Sequence, residues 1–73
     1  MAYALAFLDP PYRSGLAAAA LTALDAAGWL TPDALAIVEL AAREHLAPPA
    51  GFNLVDERMY GATRLLFFRR GTE

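Results

Sequence analysis

Hydrophobic positions fall along the chain in blocks of different period. Tyr3 to Leu8 is a continuous apolar run that stops at Asp9-Pro10-Pro11. An unbroken run of this length predicts a strand buried on both faces, as in a parallel sheet. Neither proline has an N–H for a ladder, so the strand ends there. Leu16, Ala20, Leu24 and Ala27 then recur at helical spacing and predict one helix over residues 15 to 27. Ser14 suits its N-cap and Gly28 its C-terminal stop. The many alanines let such a helix lie close against a sheet.

Trp29 to Asp33 reads as a connector, with Trp29 as a core anchor. Ala34 to Leu40 is a second apolar run, interrupted only by Glu39, and predicts a second strand. Strand, helix and strand make a βαβ unit with a right-handed crossover. Ala41 to Ala50 is a second connector, with a helical turn over Ala41 to Leu46 that Pro48-Pro49 ends. Phe52 to Tyr60 and Thr63 to Arg70 predict an antiparallel hairpin around Gly61-Ala62, with Tyr60 packed on the turn. Leu65 to Phe68 is contiguous and apolar, which predicts a central strand covered on both faces. Gly71-Thr72-Glu73 is expected to fray. There is no internal repeat and no low-complexity linker.

Composition narrows the picture. With 73 residues the chain is one domain at most, and its 58% hydrophobic content argues against disorder and for apolar surface that something else covers. A free-standing nucleic-acid binder is normally basic, so with a net charge of −2 the chain as a whole does not read as one. Without cysteine there is no disulfide framework and no thiolate metal site, and the single His45 reads as a surface residue, so no metal is expected. Neither a signal peptide nor an apolar run of about 20 residues is present, so the expectation is a soluble cytoplasmic protein with no membrane partner.

The candidate chemistry lies at Asp9-Pro10-Pro11-Tyr12, directly after the first strand. In open α/β sheets ligands bind beyond the carboxyl ends of the strands, which is where this tetrapeptide sits. An exocyclic amine of a base is a poor nucleophile because its lone pair is delocalised into the ring. Two acceptors that hold its two hydrogens turn the lone pair toward an electrophile. The Asp9 carboxylate and the Pro10 carbonyl suit that task. Pro10 and Pro11 stiffen the loop, so little ordering remains when substrate arrives. Tyr12 offers a face for stacking on the target base, and a paired base must be flipped out to reach it. Asp-Pro-Pro also occurs as an ordinary strand-ending turn. The apolar strand before it, the aromatic after it and the βαβ unit that follows favour the chemical reading: methyl transfer from S-adenosylmethionine to an amine.

The residues Ala6 to Tyr12, Gly28-Trp29-Leu30, Pro32, Ala34-Leu35, Ile37-Val38-Glu39, Arg58, Tyr60-Gly61 and Leu65 to Phe68 resemble the C-terminal half of the RsmD-like ribosomal RNA methyltransferases, nearly end to end. That family modifies guanine N2 in small-subunit rRNA. The resemblance implies an α/β, partial Rossmann-like fold: a four-stranded mixed sheet of order 1-2-4-3, last strand antiparallel, with one main helix. It implies that Asp9, Pro10, Pro11 and Tyr12 form the catalytic amine-binding loop, with S-adenosylmethionine as cofactor and RNA as partner; Tyr12 and, from its position after Tyr12, Arg13 are the candidate substrate contacts. The family's glycine-rich cofactor turn has no counterpart here, since Gly15, Gly28, Gly51, Gly61 and Gly71 are dispersed with no G-x-G pattern. Met1 precedes Tyr3 by one residue. The expectation is therefore a single partial domain over residues 1–73, a half-domain that binds no cofactor and is inactive alone. The alternative is a non-catalytic half-domain that serves as an interaction module. In either case Tyr3 to Leu8 is an exposed apolar edge, and a homo-oligomer through it, or through the helix-free face of the sheet, is expected.

Three further readings concern charged residues. Glu39 reads as a solvated strand end paired with an Arg, or as the edge of the site. Arg58, Arg64, Arg69 and Arg70 read as surface ion pairing with acids such as Asp56 and Glu57, or as a phosphate patch. Arg13 reads equally as a phosphate contact and as a solvated residue.

Overall fold

The computed structural model describes residues 3–8 and 14–71. The order of elements is β1 (Tyr3–Leu8), α1 (Ser14–Ala26), β2 (Leu30–Ala41), β3 (Phe52–Tyr60) and β4 (Thr63–Arg70). They form one four-stranded sheet in the order β1-β2-β4-β3. β1 and β2 run parallel, as a helical crossover requires, while β4 is antiparallel to both β2 and β3. The fold class, the strand order and the central antiparallel strand agree with the sequence reading.

Side-chain alternation on β2 defines the two faces. Ala34, Ala36, Val38 and Leu40 are buried, while Leu35, Ile37, Glu39 and Ala41 are half-buried. The buried set meets Ala17 and Leu21 of α1, Phe52 of β3, and Leu66 and Phe68 of β4. Ala6, Leu8, Leu24 and Leu46 close the margins of this core. Burying a side chain as large as Leu21 or Phe68 contributes about 1.5–3 kcal/mol. The helix therefore packs through Ala17, Leu21 and Leu24. The stripe read from the sequence began at Leu16, which is exposed. Alanine fills so many helix positions that hydrophobicity alone does not distinguish adjacent stripes.

α1 ends as expected at Gly28, whose φ of +75° an L side chain rarely adopts. The Gly28 N–H donates to the Asp25 carbonyl at 3.1 Å and the Trp29 N–H to that of Leu24 at 3.0 Å, the paired bonds of a Schellman cap. The capping role of Ser14 lies outside the described side chains, and the expected fraying of Thr72 and Glu73 lies outside the described residues.

Several expectations are corrected. β2 begins at Leu30 rather than Ala34. Tyr3 pairs with Leu30 and Leu5 with Leu35, so two steps on β1 face five on β2. The surplus bulges out at Pro32 and Asp33, with Asp33 at φ +41°. Trp29 is 47% exposed rather than a core anchor. It stacks on Tyr3 with ring centroids 5.8 Å apart, and its carbonyl accepts the Tyr3 N–H at 2.7 Å. No helical turn follows β2. Ala42 and Arg43 make a turn and the chain runs irregularly to Pro49. β1 is not buried on both faces: Leu5 and Phe7 are 60% and 59% exposed on the side of the sheet away from α1. Leu65 and Phe67 of β4 are only half-buried on that side.

Candidate functional site

Because β1 and β2 are parallel, their carboxyl ends share one edge of the sheet. β4 starts at that edge, since Ala41 pairs with Thr63, and β3 ends there, since Tyr60 pairs with Thr63. The last residue of β1, Leu8, the turn after Ala41 and the hairpin turn at Gly61-Ala62 thus lie at one end of the sheet. Hydrogen bonds join two of them. The Ala42 N–H donates to the Ala62 carbonyl at 2.7 Å. Arg64 donates from Nε and Nη2 to the Ala42 carbonyl and pairs with Glu57 through Nη1. The Glu44 carboxylate accepts the Ala41 N–H at 3.0 Å, and the Glu44 N–H returns to the Ala41 carbonyl.

Asp9, Pro10, Pro11, Tyr12 and Arg13, the residues singled out from the sequence, lie outside the described residues. The described chain fixes where they leave and rejoin the fold: at Leu8, whose partner is Val38, and at the start of α1. β2 continues for Glu39, Leu40 and Ala41 past that last pair, about 10 Å at the rise of a strand. The exit of the segment is therefore stepped below the end of β2. Glu39, half-buried, is the first residue beyond the step. It points away from α1, opposite Leu65, and joins no ion pair among the described residues.

Arg58, Arg64 and Arg70 of the hairpin form ion pairs, as the ion-pairing reading expected, whereas Arg69 bonds a backbone carbonyl instead. Arg64 is paired as above, Arg70 pairs with Asp25 of α1, and Arg69 donates to the Asp33 carbonyl at 2.9 Å. Arg58 pairs with Asp56 at 2.8 Å in the open. The hydrogen bond and charge of Asp56, with a smaller effect from Tyr60, hold the Arg58 guanidinium above its ordinary pKa. Tyr60 is not packed on its turn as expected but is 59% exposed. His45 is exposed, as expected.

A cavity of about 390 Å³ lies at the opposite edge of the sheet, lined by Asp25, Gly51, Phe52, Asn53, Arg70 and Gly71. The ion pair of Asp25 and Arg70 leaves its charges matched. No group of side chains suited to hold a metal ion occurs among the described residues. No described helix is long and apolar enough to cross a membrane.

Gly28 closes the C-terminus of α1, and Gly51 and Gly61 sit in turns that flank β3. Among the described elements only β1 leads into a helix, and residues 9–13, which follow it in the sequence, contain no glycine.

A parallel pair with its crossover helix, extended by an antiparallel hairpin whose last strand inserts in the middle, is one part of the Rossmann-like methyltransferase architecture. Solved structures carry the same part. An Escherichia coli protein described as a candidate methyltransferase superposes over 99% of this chain and 41% of its own, with a TM-score of 0.84 at 30% identity. A candidate methylase from Haemophilus influenzae does so over 94% and 43%, with a TM-score of 0.80 at 30% identity. A conserved hypothetical protein from Streptococcus pyogenes reaches a TM-score of 0.87 at 26% identity, over 94% and 44%. The chain belongs to the family described as conserved hypothetical protein 95, whose model matches residues 1–69. It is 38% identical over 55 residues to the ribosomal RNA small subunit methyltransferase D of Haemophilus influenzae, an alignment that covers 75% of this chain and 28% of that relative. The chain thus spans under a third of that relative and under half of the solved structures.

Proposed function

We propose that this chain is the acceptor-side portion of an S-adenosylmethionine-dependent RNA methyltransferase, and that Asp9, Pro10, Pro11 and Tyr12 hold the exocyclic amine of a base, guanine N2 by resemblance. One observation supports the reading: β1, which the motif follows in the sequence, runs parallel to β2 and ends opposite Val38, three residues before the end of β2. Ligands of open α/β sheets bind beyond the carboxyl ends of such strands. Asp9 and the Pro10 carbonyl accept the two amine hydrogens, Tyr12 stacks on the base, and Arg13 meets an adjacent phosphate. The donor side of the reaction needs residues this chain does not carry, so residues 1–73 act as a partial domain and are inactive alone.

Two experiments test this. Isothermal titration of the isolated chain with S-adenosylmethionine is expected to show no binding. Measurable affinity would overturn the claim that the cofactor site lies elsewhere. In a protein that joins this chain to a cofactor-binding portion, Asp9→Ala is expected to lower methylation by about 10²-fold or more, the scale for removing one preorganised hydrogen-bonding group at a reacting centre. Cofactor affinity stays unchanged. Equal loss of both would make Asp9 structural.

A second reading rests on a different observation. Leu5 and Phe7 are exposed on β1, whose outer edge pairs with no other described strand. A non-catalytic half-domain that dimerises through this edge would use that surface.

A further inference from the structure

β3 changes face midway. Leu54 pairs with Phe68 and Asp56 with Phe67, so Val55 is an extra residue in the strand. Before it, Phe52 and Leu54 lie on the side that α1 covers. After it, Asp56, Arg58 and Tyr60 lie on the opposite side, in register with Phe67, Leu65 and Thr63. In an unbroken strand they would have shared the face of Phe52. Bulges re-aim side chains in this way and concentrate beside functional sites.

The re-aimed residues are ordered yet open. Asp56 accepts the Glu57 N–H through Oδ1 at 2.8 Å, which fixes its carboxylate. Its Oδ2 then accepts both Nε and Nη2 of Arg58, at 3.0 and 2.8 Å. The guanidinium is held in place with Nη1 outside that fork. Tyr60 stands two residues further along the same face, at the end of the sheet where β1 also ends, with β2 and β4 between the two strands. An exposed aromatic ring beside an oriented guanidinium is what single-stranded nucleic acid requires: a face for an unpaired base and a donor for its phosphate. Stacking does not need a basic surface, which accords with the chain's net charge of −2.

We infer that Tyr60 and Arg58 form a second substrate contact on this edge, in which Tyr60 stacks on an unpaired nucleotide flanking the target base and Arg58 contacts its phosphate. The inference rests on the methyltransferase reading for the identity of the polymer.

The test measures fluorescence anisotropy of a short, labelled, guanine-containing single-stranded RNA against the 73-residue chain at low salt. Tyr60→Ala is expected to weaken binding about 5- to 150-fold, the range for losing one stacked base. Tyr60→Phe, which keeps the ring, stays within about twofold. Arg58→Ala weakens binding and lowers the salt slope by about one. Tyr3→Ala serves as the control, because Tyr3 is also exposed but lies at the far end of the sheet. Its affinity stays within about twofold. Three results would overturn the inference: no saturable binding by about 10⁻⁴ M, equal affinity for a blunt duplex, or equal losses in Tyr60→Ala and Tyr3→Ala. The methyltransferase reading fails separately, on the Asp9→Ala assay.

Discussion

Arg64 Nε and Nη2 both donate to the carbonyl oxygen of Ala42, at 3.2 and 2.7 Å. One guanidinium on β4 thereby fixes the turn that leaves β2, while its third nitrogen holds Glu57 on β3. Lysine carries no such fork. Arg64→Lys is expected to cost about 1.5–3 kcal/mol in urea unfolding, the range for hydrogen bonds to a charged group. Amide exchange at Ala42 and Glu44 is expected to accelerate more than at Val38. Uniform acceleration would place the effect in global stability rather than in the turn.

Leu21 is fully buried between α1 and the sheet. Leu21→Ala is expected to destabilise the chain by about 2–5 kcal/mol. Leu16→Ala, one stripe over and exposed, is expected to stay within about 0.5 kcal/mol. The pair distinguishes the packed face of the helix from its neighbour. Similar losses in both would contradict the packing described above.

Gly28 has φ +75° and open space around an added Cβ. Gly28→Ala therefore meets no neighbour, and its whole cost is backbone strain, about 1–2 kcal/mol. Gly28→Asn, which tolerates the left-handed region better, is expected to cost less. Thermal unfolding of both variants checks the order.

Leu5 and Phe7 leave an apolar band along β1. Light scattering of the chain is expected to show self-association that rises with concentration. Leu5→Lys with Phe7→Lys is expected to abolish it, because charge on an exposed edge opposes strand addition. A monomer at every concentration in the unaltered chain would count against an interface on β1.

Much of this architecture is legible from local patterns. Continuous apolar runs announce β1, β2 and β4, and Gly28 marks the end of α1. The failures have physical causes. Pro32 and Asp33 look like a connector because a strand cannot normally hold them, yet a bulge against β1 accommodates both. Trp29 has the size of a core residue, but its partner Tyr3 lies at the rim of the sheet, so the two stack in the open. The burial of β1 depends on what covers the far face, which no local pattern records. The proposed site was legible as the tetrapeptide Asp9 to Tyr12. The exposure of Tyr60 was not, because it depends on the extra residue at Val55, and a strand with a bulge has no distinct sequence period.

The pairing of Leu8 with Val38 also acts as a depth gauge. Each residue of β1 raises the exit of the following segment by about 3.3 Å, while the walls set by Ala41 and by the Tyr60–Thr63 turn remain fixed. Two residues inserted before Asp9 would lift that exit by about 7 Å and nearly remove the step. The length of a plain apolar strand, rather than any reactive group, thus sets the level of the sheet at which the chain departs after Leu8.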